Sequence, residues 1–276
     1  MEILICTDGS PAAEAAAALL TRLGNSAGGQ LTLLGVCENE AEEAALRASM
    51  DRMASILGPG WAGVKQHVRH GHPVEQILAE TQGQAYDLVV MGSSGQQRGL
   101  RLLNLGSTSS KLARKIHTHL LVARTVPTTL QKILVCTGAE IPSVETMRRA
   151  GTLLQGTTAE VNLLHVMSQV ALKPDNAPSD LFDTAKTAID RQTREGQHLQ
   201  SAMQQLQAAG LTSPIVPLLR HGLVVEQVLD ELNKGHYDLL VVGAHHQPGQ
   251  NRWLEILLDD VADRLLNHAP CSVLIV

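Results

Sequence analysis

Aromatic side chains are scarce in this chain: one Phe, two Tyr and two Trp, 2% of 276 residues. That leaves almost no platform for stacking nucleobases. Excess positive charge is also missing, since 22 Lys and Arg stand against 27 Asp and Glu for a net charge of -5. A general nucleic-acid binder needs a basic face, so no nucleic-acid partner is expected. No run of about 18 apolar residues occurs, which argues against a membrane span and a membrane partner. Met1-Glu-Ile-Leu-Ile-Cys enters a strand-like run with no basic, then apolar, leader, so a cytoplasmic protein without a signal peptide is expected. Only four cysteines are present, Cys6, Cys37, Cys136 and Cys271, and their wide spacing fits neither a disulfide set nor a zinc site. A lysine-bearing phosphate loop, a Gly-x-Ser-x-Gly elbow and a paired-carboxylate motif are all lacking. No catalytic residue is therefore assigned, and strong catalysis is not expected.

What the chain does have is a repeat. Ile3-Leu-Ile-Cys-Thr returns as Ile133-Leu-Val-Cys-Thr, 130 residues on, and Leu31-Thr-Leu-Leu-Gly-Val returns as Val161-Asn-Leu-Leu-His-Val at the same offset. Arg69-His-Gly then matches Arg220-His-Gly at an offset of 151. From Gly71–Gly95 to Gly222–His246, 11 of 25 positions are identical without a gap, and Tyr86 and Tyr237 coincide. The 21 extra residues of the second copy fall between 168 and 210, where a polar helical run is expected from about Leu181 to Ala209. The copies are assigned to residues 1–127 and 131–276, with the break at Pro127-Thr-Thr.

Each copy alternates apolar strand runs with helical stretches. Ile3–Thr7 suits a buried parallel strand. Ser10 and Pro11 mark a helix start and Gly24 its end. Strands are expected at Leu31–Val36, Val64–Arg69, Asp87–Met91 and Leu120–Ala123. Helices are expected at Glu40–Leu57, from Pro73 to Thr81, and within Gly106–Ile116. Strands joined by helical crossovers must run parallel. The expected fold is α/β: two tandem repeats, each a five-stranded parallel sheet with helices on both faces, Rossmann-like in layout.

Ligands of open α/β sheets sit beyond the carboxyl ends of the strands. Thr7-Asp8-Gly9-Ser10 and Met91-Gly92-Ser-Ser-Gly95 both follow first-copy strands, and Gly106-Ser107-Thr108 opens a helix. Glycines there admit backbone N–H groups to phosphate oxygens. A helix start adds free donors and partial positive charge, and Ser107 and Thr108 add hydroxyls. Glycines in such places also simply make turns. The sequence strand, Gly-x-x-Gly, spacer, Gly-Ser at a helix is the more specific combination.

This combination resembles the nucleotide-binding members of the universal stress protein family, and the whole chain resembles a tandem member. The family pattern is Gly-x2-Gly-x9-Gly-Ser/Thr. Here ten residues (96–105) separate Gly95 from Gly106, one more than the pattern. The resemblance implies binding of ATP, or of ADP or AMP, with Mg carried only by the nucleotide. Asp8 and Val36 would face adenine and ribose, and Met91 would line the pocket. Gly92, Gly95, Gly106, Ser107 and Thr108 would hold the phosphates. Arg98 and Arg101 lie in the spacer, as phosphate contacts or as solvated charges. The resemblance also implies a nucleotide-dependent stress or signalling module with an unidentified protein partner. The copies would pair as an internal pseudo-dimer through Leu120–Ala123 and Val273–Val276, with a homodimer as a further level of assembly. At most slow ATP hydrolysis is implied. The alternative is an interaction scaffold that binds no nucleotide.

The second copy departs from the pattern. Gly138 stands for Asp8 and His246 for Gly95, and Leu258-Asp259-Asp260 falls where Gly106-Ser107 would be. Carboxylates there would repel phosphate, so the second copy is expected to keep the fold without the nucleotide. His67, His70 and His72 cluster, but no third ligand and outer shell can be placed for a metal. The recurrence of Arg-His-Gly in both copies favours a structural role at the strand-to-helix turn.

Overall fold

The computed structural model describes residues 1–23, 29–93, 107–116, 118–124, 126–138, 142–167, 184–243 and 261–276. Contacts divide the chain into two compact units, Met1–Thr129 with Leu266–Ile275, and Leu130–Leu265 with Val276.

The first unit opens with β1 (Glu2–Thr7), whose residues from Ile3 onward are all buried. A strand enclosed on both faces needs such a continuous apolar run. α1 (Pro11–Leu20) begins where Ser10 accepts a bond from the Ala13 amide and Pro11 supplies a helical φ. It ends at Thr21; Gly24, the expected terminator, lies outside the described residues. There follow β2 (Gln30–Cys37), α2 (Glu40–Leu57), β3 (Gly63–His70), α3 (Pro73–Gly83), β4 (Leu88–Gly92), α4 (Ser107–Ala113) and β5 (His119–Ala123). The sheet order is β3-β2-β1-β4-β5, and every neighbouring pair among these five is parallel. The chain therefore moves outward from β1 to β3, then crosses to β4 on the far side of β1. Right-handed crossovers put the helices before and after that reversal on opposite faces; α1 packs on α2, and α3 on α4.

A sixth strand completes this unit. β10 (Ser272–Ile275) runs antiparallel to β5, with Val273 opposite Val122 and Ile275 opposite Leu120. Ser272 Oγ accepts from the Arg124 amide at 3.1 Å, and the Arg124 guanidinium donates to the Leu266 carbonyl. The end of the chain thus closes the first unit's sheet beside β5, the one antiparallel pair among the described strands.

The second unit repeats the plan with β6 (Lys132–Thr137), α5 (Pro142–Leu153), β7 (Glu160–Met167), α6 (Ala185–Asp190), α7 (Arg194–Ala208), β8 (Ile215–His221), α8 (Val224–Gly235) and β9 (Leu239–Val242). Its strands lie parallel in the order β9-β6-β7-β8, and residues 261–268 are helical. The continuous helix expected from Leu181 to Ala209 is instead two helices; residues 181–183 lie outside the described ones. The break has a local cause. Gln192 adopts a positive φ of 56°, and Thr193 restarts the chain as the cap of α7, accepting from the Gly196 amide at 3.2 Å. Gly196 lacks the Cβ that would collide with the Ala188 carbonyl of α6.

One polar network recurs in both units. Glu80, buried on α3, accepts from the Arg69 guanidinium of β3 and, at 2.9 Å, from the Tyr86 hydroxyl. Glu231 on α8 accepts in the same way from Arg220 and, at 2.8 Å, from Tyr237. A buried carboxylate needs such partners. Gly71 and Gly222 turn the chain after each arginine strand at φ values of 128° and 131°, where a side chain would strain the backbone. The repeated Arg-His-Gly is thus a clamp fixing β3 to α3 and β8 to α8.

Candidate functional site

The reversal of chain direction in the first unit lies between β1 and β4, the switch point at which open α/β sheets leave a crevice. A pocket opens there. Its walls are Cys6, Thr7 and Asp8 at the end of β1, Met91 and Gly92 at the end of β4, and Val36 near the end of β2. Pro73 and Ile77 of α3 and Thr108 of α4 close one side; Ser10 and Ala13 contribute from the start of α1. The empty space, with its open mouth, is about 480 Å³, within the range of about 300–1,000 Å³ typical of small-molecule clefts.

The chemistry divides. Cys6, Ala13, Val36, Pro73, Ile77 and Met91 form an apolar floor, and Thr7, Asp8, Ser10 and Thr108 supply oxygen atoms. Burial, reinforced by Glu80, pushes the Cys6 thiol up, so this wall stays neutral. The turn after β1 is shaped by its own side chains. Thr7 Oγ1 accepts from the Gly9 amide and Asp8 Oδ1 from the Ser10 amide, each at 3.0 Å. Gly9 has φ of 80°. Gly92 approaches α1 so closely that a Cβ would collide with the Ala12 carbonyl and the Ala13 amide.

The structure brings five of the residues picked from sequence, Asp8, Val36, Met91, Gly92 and Thr108, to one pocket. Ser107 is the first residue of α4. Gly95, Arg98, Arg101 and Gly106 lie outside the described residues. Sequence reasoning missed Cys6, Ala13, Pro73 and Ile77 as walls, and took Ser10 only as a helix cap, though it serves both places. The signal for Pro73 and Ile77 was available: they follow the Arg-His-Gly turn, which carries the chain to this edge.

The corresponding edge of the second unit is built differently. Gly138 ends β6 where Asp8 follows β1. Thr137 Oγ1 bonds His198 Nε2 of α7 at 3.0 Å, and His165 Nδ1 bonds the Thr137 carbonyl at 3.2 Å. The two imidazole rings stand 4.7 Å apart between centroids. Burial, then His165, lowers His198 to about 4; His165 is lowered by burial first. His246 and Leu258-Asp259-Asp260 lie outside the described residues. Among the described residues no cluster of three or more His, Cys, Asp or Glu is placed to hold a metal. No helix is long and apolar enough to cross a membrane.

The sequence model of the universal stress protein family matches residues 1–124 and again 129–276. The chain belongs to the universal stress protein family. It is a tandem member, with an α/β fold and a mostly parallel sheet. A universal stress protein of Archaeoglobus fulgidus DSM 4304 is similar over 99% of this chain and 97% of its own, at 16% identity and a TM-score of 0.67. A functionally unknown protein from Pseudomonas aeruginosa PAO1 is similar over 100% of this chain and 92% of its own, at 16% identity and a TM-score of 0.63. At such identities the likeness extends to the fold alone. No curated protein matches significantly.

Proposed function

We propose that the N-terminal copy binds ATP or another adenine nucleotide, ADP or AMP, and that the protein acts as a nucleotide-dependent stress or signalling module in the cytoplasm. The observation that carries this reading is the pocket at the β1–β4 switch point, where Asp8, Val36, Met91, Gly92 and Thr108 meet. The residues fit the group. The apolar floor suits a purine face. Asp8 spends Oδ1 on its own turn, and its carboxylate accepts from a ribose hydroxyl or a base N–H. Gly92 keeps the rim free of a Cβ in a place where even the existing backbone is in contact. Thr108 donates its hydroxyl to a phosphate oxygen, with Gly95, Gly106 and Ser107 as further phosphate ligands and Arg98 and Arg101 as charges in the spacer. Mg enters only with the nucleotide. The pocket's described walls hold one carboxylate and no histidine or lysine, so the reading is binding, with at most slow hydrolysis.

Calorimetric titration with Mg-ATP, after nucleotide extraction, tests this on the wild type and on Asp8→Ala and Gly106→Asp variants. One site per chain, weakened at least about tenfold when Asp8 loses its charged hydrogen bond, is the expected outcome. Two sites would mean that the second copy binds as well. A folded protein that takes up no nucleotide would overturn the proposal and leave a nucleotide-free scaffold.

A further inference from the structure

The first unit holds a second group of reactive side chains that the pocket does not use. Side chains alternate along β2; Val36 faces the pocket, so Cys37 points to the other side, toward α2. Cys37 and His70 are direct partners in the parallel register of β2 and β3. Cys37 Sγ lies 3.6 Å from His70 Nδ1, and His70 Nε2 lies 3.1 Å from Glu43 Oε2 in the first turn of α2. The other oxygen, Glu43 Oε1, accepts from Arg47 Nε at 2.8 Å. A thiol, an imidazole, a carboxylate and a guanidinium thus form one chain across three elements. Such an order, with a third group orienting the base, is that of an activated nucleophile.

We propose that Cys37 is a reactive thiol with His70 as its general base and Glu43 as the residue that positions His70, and that its electrophile is a small hydroperoxide. Glu43 accepts from Nε2–H and so leaves the Nδ1 lone pair toward the sulfur. Burial, then Glu43 and Glu42, pushes the thiol up, with Arg47 opposing. The resting sulfur is a thiol, and its reactivity depends on passing a proton to His70 at the moment of attack. Size selects the electrophile. Cys37 is 6% exposed beneath a His70 side chain that is 44% exposed, so a bulky acyl donor is excluded. An acyl transfer would also need oxyanion donors, and the nearby Gly71 amide is already bonded to the Cys37 carbonyl at 3.0 Å. A hydroperoxide needs only a line of approach and a proton for its leaving oxygen. The thiol proton moves to His70 Nδ1 and the sulfur attacks the terminal peroxide oxygen. The S–O bond forms as the O–O bond breaks, and the leaving alkoxide or hydroxide takes the proton from His70. The sulfur is oxidised to a sulfenic acid and the peroxide is reduced by two electrons to an alcohol or water.

The second unit isolates what is particular to the first. In the same register Met167 stands opposite His221, and neither ring nitrogen of His221 has a hydrogen-bond partner among the described residues. The histidine position is therefore kept where there is no thiol, and a purely structural role for His70 is the competing account.

The two accounts separate in one experiment. The reduced full-length protein is treated with hydrogen peroxide near neutral pH, sulfenic acid is trapped with a dimedone-type probe, and each cysteine is read by peptide mass spectrometry. Cys6, Cys136 and Cys271 serve as references within the same chain. Cys37 is expected to label at least about tenfold faster than any of them, and His70→Asn to slow it at least about tenfold, at the lower edge of general-base effects. Glu43→Gln is expected to slow it less and to move the acid limb of the rate–pH profile to lower pH, which a packing role would not do. Equal labelling of all four cysteines would overturn the proposal. Faster labelling in His70→Asn would overturn it too, because His70 would then be a cover only. If His70→Asn does not fold, the ranking of the wild-type cysteines and the Glu43→Gln profile decide the matter.

Discussion

Lowering the pH should weaken the second unit through the His165–His198 pair, and the size of the effect can be worked out. His198 is held at about 4 in the fold, against a model value of 6.5. A base lowered on folding is favoured neutral. Its contribution is complete above the unfolded value and is lost as pH falls from 6.5 toward 4, because the unfolded chain takes up the proton first. At about 1.4 kcal/mol per pH unit the gap corresponds to at most about 3 kcal/mol. His198 is half-buried, so solvent screening reduces this to about 1–2 kcal/mol. Burial, first, and then Arg194 and His221 lower His165, against the Thr137 carbonyl and Glu195; it acts in the same direction. Urea titrations followed by far-ultraviolet circular dichroism at stepped pH give the assay, on the wild type and His198→Gln. The wild type should lose stability across that window, and the variant should lose about 1–2 kcal/mol less, near the size of the removed contribution. Identical pH dependence in both proteins would refute the reasoning.

Further outcomes follow from single contacts. Glu80→Gln and Glu231→Gln should each cost about 1–3 kcal/mol in urea denaturation, the range for hydrogen bonds to a charged group, and by similar amounts because the two clamps match. Gly92→Ala should lower stability and weaken Mg-ATP binding at least tenfold by calorimetry, since its Cβ forces the start of α1 away from β4. Gly196→Ala should destabilise the α6–α7 contact by about 1–3 kcal/mol, read as faster amide exchange in those helices with the first unit unchanged. Glu145, drawn down to about 2 by Arg148 first and then Arg149, is about half exposed. Its replacement by Gln should therefore change stability by less than about 1 kcal/mol, and less still in high salt.

Much of the architecture could be read from local pattern. The apolar run at Ile3–Thr7 and the Ser10-Pro11 start set β1 and α1 because each signal acts within a few residues. The repeat then doubled the information: Arg-His-Gly in both copies pointed to structure, and the Arg69–Glu80–Tyr86 clamp gives the reason. What could not be read depends on distance along the chain. The break between α6 and α7 turns on a positive φ at Gln192, a conformation that residue type does not announce. The walls that Pro73 and Ile77 supply depend on how α3 leans over β2. The Cys37–His70 pair depends on strand register across 33 residues, invisible until β2 and β3 are aligned.

The contrast between the units shows which residues the fold requires and which are free to serve a site. Clamp, strand order and turn glycines recur in both, so folding accounts for Arg69, Glu80, Tyr86 and Gly71. The strand ends do not recur. After β1, Thr7 and Asp8 each accept from a backbone amide of their own turn, and an open pocket remains beside them. After β6, Thr137 turns instead to His198, and His165 fills the place that Gly35 leaves empty over α2. A Cβ at Gly35 would already press on Met50 and Leu46, so the first copy spends that space on packing helix α2. The second copy accommodates an imidazole only because α7 answers it with His198. Since both arrangements support the same sheet, stability alone does not select the Asp8–Gly92–Thr108 edge; a ligand of the first copy does.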